Sequence, residues 1–178
     1  YLPTASYCGR LRGDFLNMTA TICGSRLGRG LVRPGGVAFD INAAMEAELR
    51  KRLDAAEEDV DEAVDLFFDT HSALGRMDGT GPVSEKACRD LGIVGLVARA
   101  SGLPRDARAS HPFGWYRRSP MKVVTWNTGD VYARAWVRRE EITNSLFHIR
   151  QTLKELPGGP VTTAVGSLAP EGFAVAIV

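Results

Sequence analysis

Several protein classes are excluded by what the chain has little of. Its three cysteines, Cys8, Cys23 and Cys88, are widely spaced and form no C-x-x-C pair. An odd, scattered set does not make a secreted disulfide framework and fits a reducing compartment. Histidine is equally sparse: His71, His111 and His148 stand apart, so the spacing supplies neither a tetrahedral zinc site nor an iron–sulfur ligand set. No apolar run approaches the roughly 18 to 20 residues that a bilayer span requires. Charge of one sign is missing in bulk, because 22 basic and 21 acidic residues leave a net charge of +1 and no global field for nucleic acid or lipid. The 19 glycines follow no period, which excludes collagen, and an apolar content of 44% excludes disorder.

What is present describes one globular domain over residues 1–178, long enough to bury a core without disulfide or metal. Leu11, Phe15, Met18 and Ile22 keep helical spacing and predict a helix over about residues 8 to 24. From Ile41, the positions Met45, Leu49, Leu53, Ala56, Val60, Val64 and Phe67 predict one long helix capped by Asp40 and running to Gly75. Ser84 opens a short helix, and Asp130 caps a second long one whose seam is Ile142, Leu146, Ile149, Leu153 and Leu156. Val161–Val165 and Phe173–Val178 predict a terminal hairpin. The fold class is mainly α: a long-helix bundle with a small C-terminal β-hairpin.

Charge is unevenly distributed along this frame. Seven acids and no base lie between Asp54 and Asp65, the pattern of a solvated helix face. Six bases and one acid, Asp106, lie between Arg99 and Lys122, interleaved with proline, glycine and aromatic residues. The loop from Gly24 to Asp40 carries Arg26, Arg29 and Arg33 among its glycines and resembles an anion-binding loop in composition. It matches neither G-x-x-x-x-G-K-[ST] nor a G-x-G-x-x-G after a strand, so the favoured reading is a tight interhelical turn with its arginines paired to nearby acids. No spacing selects a Cys–His nucleophile pair, and buried structural cysteine is the expectation for all three thiols. His111 is expected in a polar loop and His148 as a packed side chain.

Three strings together identify a resemblance. Cys23-Gly-Ser-Arg-Leu-Gly-Arg-Gly-Leu-Val-Arg-Pro-Gly-Gly-Val37 is the first, and the second runs from Gly92 through Arg99-Ala-Ser-Gly, Asp106-Ala-Arg108 and His111-Pro to Tyr116. The third is Gly129-Asp-Val-Tyr-Ala-Arg-Ala-Trp-Val-Arg-Arg-Glu-Glu141. They resemble the large subunit of energy-converting nickel–iron hydrogenases of the formate hydrogenlyase type, and its relative, the quinone-site large subunit of respiratory complex I. The resemblance implies electron transfer from an iron–sulfur small subunit to protons or quinone, coupled to membrane subunits. It also implies a cytoplasmic location, peripheral to the membrane, with neither nucleic-acid binding nor insertion into the bilayer.

The same resemblance marks Arg26, Arg33, Gly35, Gly36, Asp40, Arg99, Asp106, Arg108, His111 and Tyr116 as family-motif or partner-facing residues, with no catalytic residue and no metal ligand among them. The nickel–iron centre of the hydrogenases is held by two C-x-x-C pairs, which are absent here, so no cofactor is expected in this chain; nickel–iron or quinone belongs to the parent complex. The family's Glu-Ala-Pro-Arg-Gly string is replaced by Leu168-Ala-Pro-Glu171-Gly, which puts an anion where a cation is expected. The chain opens at Tyr1 without methionine. The expectation is a central piece of a longer large subunit, inert alone, with a non-catalytic interaction module or an anion binder as the alternative.

Overall fold

The computed structural model describes residues 2–167 and 170–175. They form a mainly helical chain: α1 (Leu2–Cys23), the strands β1 (Val32–Arg33) and β2 (Gly36–Val37), α2 (Ala43–Asp69), α3 (His71–Met77), α4 (Glu85–Asp90), α5 (Gly95–Ala100), α6 (Ala107–Ser110), a 3-10 turn (Gly114–Arg117), and α7 (Val131–Lys154). The contacts divide it into two compact units. One comprises the chain up to Val64 with Arg150–Ala174, and the other is built on Asp65–Ile149.

In the first unit, α1 ends where Gly24 turns left-handed (φ 72°) and its N–H bonds the Ala20 carbonyl at 2.7 Å. The cap of α2 is Asn42, whose carboxamide oxygen accepts the Met45 N–H at 2.9 Å, and not Asp40, which bonds only the adjacent Ile41 N–H. An N-cap must reach two or three residues into the helix, and Asp40 lies two residues too early. The buried face comprises Leu11, Met18 and Cys23 of α1, Leu49, Leu53, Ala56, Val60 and Ala63 of α2, and Leu153 of α7. Ion pairs join the helices: Arg10 of α1 meets Asp59 of α2 at 2.5 Å, and Arg150 of α7 reaches Asp54 and Glu57 of α2 at 2.7 and 2.6 Å. Part of the acidic run is therefore an interhelical clamp, beyond the solvated face that its composition suggested.

The long helix expected to reach Gly75 breaks at Thr70, which adopts an extended conformation (φ −85°, ψ 103°) and begins α3. The Thr70 hydroxyl donates to the Leu66 carbonyl at 2.6 Å, taking up an acceptor at the helix end. In the second unit two clusters of buried residues form core. Cys88, Ala98 and Leu103 pack with Val83, Ile93 and Val97, while Ala100, Ala133 and Val137 pack with Leu96, Val124 and Trp126. Asp130 organises the start of α7 as the sequence predicts. One carboxylate oxygen accepts the Ala133 N–H (2.8 Å) and the Thr128 hydroxyl (2.8 Å), and the other accepts the Gly79 N–H (2.9 Å). Burial alone would raise its pKa, but these bonds outweigh burial and hold it below the usual carboxylate value.

The expected seam of α7 is only partly buried. Leu146 and Leu153 lie in the interior, whereas Ile149 and Leu156 are exposed. Among the described residues no terminal hairpin is seen. Val161–Thr163 instead lie along β2, with Val37 N–H bonding the Val161 carbonyl at 3.0 Å and Thr163 N–H bonding the Gly35 carbonyl at 2.8 Å. Residues 170–175 contain no strand, and residues 176–178 of the expected hairpin lie outside the described residues. The strand β2 supplies the free edge sooner in the chain, so the β-prone segment joins it.

Candidate functional site

The two arginine- and glycine-rich stretches build different things. In the second unit, Arg99 near the end of α5 is buried, as is Asp106 at the start of α6, each about 8% exposed. The Arg99 guanidinium donates to Glu141 of α7 at 2.6 Å and to the Arg105 carbonyl at 3.2 Å, and approaches Asp106 at 3.9 Å. Asp106 accepts two side-chain bonds from Arg108 at 3.0 and 2.7 Å and its backbone N–H at 3.0 Å. The Arg108 side chain is the main cause that keeps Asp106 below the usual carboxylate range, against the effect of burial. The result is a four-residue network with both signs satisfied inside the unit.

Beside it, the 3-10 turn is fixed to α7 by aromatic stacking. Tyr116 lies flat on His148 with centroids 5.4 Å apart, and Phe113 meets Tyr116 edge-on at 5.5 Å. The Ser119 hydroxyl lies 3.4 Å from His148 Nδ1. Burial and then the nearby Arg108 push the His148 pKa down. His111 is exposed at the end of α6, with Nδ1 3.0 Å from the Ser110 hydroxyl, as expected of a polar loop. Phe68, Tyr132, Trp136 and Trp126 form a second aromatic cluster, with the Arg139 guanidinium over Phe68 and Trp136 and paired to Asp65 at 2.8 Å.

In the first unit, the loop after α1 forms a ribbon, with Val32 opposite Val37 and Arg33 opposite Gly36. Gly35 (φ 88°) and Gly36 (φ 148°) are required here. A Cβ at Gly36 would overlap the Val161 carbonyl, and one at Gly35 would stand 2.5 Å from the Thr163 carbonyl. The Ser25 hydroxyl accepts the backbone N–H groups of Leu27 and Arg29 at 3.4 and 3.2 Å. Those amides are thereby taken from any anion, which argues against a phosphate cradle. Arg26, Arg29 and Arg33 are exposed, and among the described residues none of them makes an ion pair, contrary to the expected pairing with acids; Arg33 donates only to the Gly30 carbonyl at 3.1 Å. Glu171 is exposed in a left-handed turn (φ 59°), and its neighbours 168 and 169 lie outside the described residues.

Cys23 and Cys88 are buried as expected, but Cys8 is exposed on α1. Among the described residues no group of three or more His, Cys, Asp or Glu side chains comes together as a metal site. Sequence reasoning missed Glu141 and Trp126. Arg99 and Glu141 are 42 residues apart, and no local pattern links them.

The family described as respiratory-chain NADH dehydrogenase, 49 Kd subunit, matches residues 2–172. The chain belongs to that family. Relatives include the second NADH-quinone oxidoreductase D subunit of Solibacter usitatus, 31% identical over 91% of this chain and 44% of its own length. The NADH-quinone oxidoreductase D subunit of Mycobacterium avium is 32% identical over 90% of this chain and 36% of its own length. Formate hydrogenlyase subunit 5 of Escherichia coli is 33% identical over 93% and 29%. The chain thus spans less than half the length of these relatives. Within the 49 Kd subunit family match lie both stretches described above and the Asp130 cap. No helix among the described residues is long and apolar enough to cross a membrane.

Proposed function

We propose that this chain is the helical frame of a large subunit in a complex that carries electrons from an iron–sulfur partner to quinone or protons. In that reading the parent lies against the cytoplasmic face of a membrane with its membrane subunits, and this chain alone turns over no substrate. The observation that carries the proposal is the ribbon of residues 32–37. Arg26 and Arg29 on the loop that leads into it and Arg33 within it are exposed and without ion pairs among the described residues, and Gly35 and Gly36 lock the ribbon's return strand against Val161–Thr163. A rigid support that keeps cations unneutralised suits a charged interface, where such groups steer association and fix register. The buried Arg99–Glu141–Asp106–Arg108 network serves as scaffold of the other unit, so Arg99 and Asp106 act on partners only through the fold.

The test is co-purification of the chain with the iron–sulfur small subunit of its own complex. Retention by the unaltered chain, with at least tenfold loss for the Arg26→Ala, Arg29→Ala, Arg33→Ala triple variant and an unchanged melting temperature, is the expected result. Equal retention of the variant would remove the ribbon from the interface. No retention of the unaltered chain would defeat the subunit reading.

A further inference from the structure

The stretch after Asp106 contains no acid from residue 107 to residue 129, while five cations and only Asp106 fall between residues 105 and 122. Asp106 is already committed to Arg108. Among the described residues, Arg105, Arg117, Arg118 and Lys122 are exposed and make no ion pair. Arg117 and Arg118 are displayed on an ordered element. The Arg117 Nε donates to the Pro112 carbonyl at 3.0 Å, the Arg118 guanidinium lies 5.2 Å from the Trp115 ring centroid, and Tyr116 is stacked on His148. Phe113, 39% exposed, stands at the head of the same turn.

We propose that the 3-10 turn and its flanks form a docking surface for an anionic phospholipid bilayer, with Arg117, Arg118 and Lys122 at the headgroups and Phe113 at the interface. Charge complementarity selects the occupant. A bilayer surface needs cations and an aromatic residue, and no patterned counter-charge. A stable protein interface takes about 20 to 30 residues a side, which one short turn and its flanks do not provide. Basic residues near a charged lipid surface act additively, so loss of each should weaken binding about fivefold, the equivalent of ~1 kcal/mol. The proposal does not depend on the subunit reading above.

The experiment is co-sedimentation of the full chain with vesicles of phosphatidylcholine and phosphatidylglycerol (7:3), against pure phosphatidylcholine, at low and high salt. The expected result is binding to the anionic vesicles only, weakened by salt and reduced about 25-fold in Arg117→Gln, Arg118→Gln. Because these two side chains also hold the turn, Lys122→Gln provides a second test at a position whose side chain holds no neighbour by ion pair, and should give a drop of about fivefold. Arg117→Lys, Arg118→Lys should retain binding, since lipid attraction follows charge and not guanidinium geometry. Equal binding to neutral vesicles, or neutralised variants that bind like the unaltered chain, would overturn the proposal. So would retention on immobilised polyglutamate without vesicle binding, which would assign the surface to an acidic protein.

Discussion

The loop of residues 24–37 and the stretch of residues 95–119 look alike in composition, each mixing arginine with glycine and proline, yet they solve opposite problems. In the first, glycine does the structural work: Gly35 and Gly36 let β2 approach Val161–Thr163, and the arginines face solvent. In the second, charge does it: Arg99 and Asp106 are interior and bonded to Glu141 and Arg108, while Gly114, although left-handed at φ 49°, would meet nothing within 4 Å if given a Cβ. An arginine contributes to stability where removing it strands a buried partner, and contributes little where water replaces its contacts.

The largest effect should come from Arg99→Ala, which leaves Asp106 without its second cation and Glu141 without its donor. A loss of about 3 to 5 kcal/mol in denaturant melts is expected. A loss as small as that of a surface arginine would erase the distinction between the stretches.

Glycine substitution should reverse the ranking. Gly36→Ala should cost about 1 to 3 kcal/mol through strain and overlap. It should also abolish hydrogen-exchange protection of the Val37 and Thr163 amides. Gly114→Ala, in open space, should cost about 1 kcal/mol or less from its positive φ alone. Equal costs at the two positions would show that close approach is not what the ribbon requires.

Acid sensitivity sharpens the contrast at the next level. Asp106 has its folded pKa lowered, so its stabilisation is fully present above the ordinary carboxylate value and is lost as pH falls through the lowered one. Asp106→Asn should flatten that acid limb and cost about 1 to 3 kcal/mol at neutral pH, measured by melts across pH. His148, also lowered, adds a separate limb: the folded state resists protonation, so stability falls as pH drops below the ordinary imidazole value of 6.5 and levels off beneath the lowered one. His148→Phe should keep the stack on Tyr116 and remove this limb.

The smallest effect should be that of Arg26→Ala, Arg29→Ala and Arg33→Ala on stability, each within about 0.5 kcal/mol. A larger loss from Arg29→Ala would place its side chain in a contact that the exposed ribbon does not offer.

The sequence made a good part of this legible. The three long helices appear where apolar spacing predicts them, although α1 begins at Leu2 and not near residue 8, Ser84 and Asp130 cap as their positions imply, and the family is carried by three short strings of residues. Less legible were the cap at Asn42, where two nearby polar candidates compete, and the break at Thr70, because no glycine or proline marks it before Gly75. The pairing of Val161–Thr163 depends on an edge more than 100 residues away, and β propensity records only readiness to pair.

By itself, the sequence determined the mainly helical class, the approximate extent and one face of the long helices, and membership in the 49 Kd subunit family. Each follows from local spacing or from residue strings, which survive without knowledge of distant neighbours. Only the tertiary structure decided which arginines are interior and which face water, and that Glu141 is the partner of Arg99. The physical reason is that a charge's contribution depends on its burial and on the partner brought to it, and both are set by segments far apart in the chain.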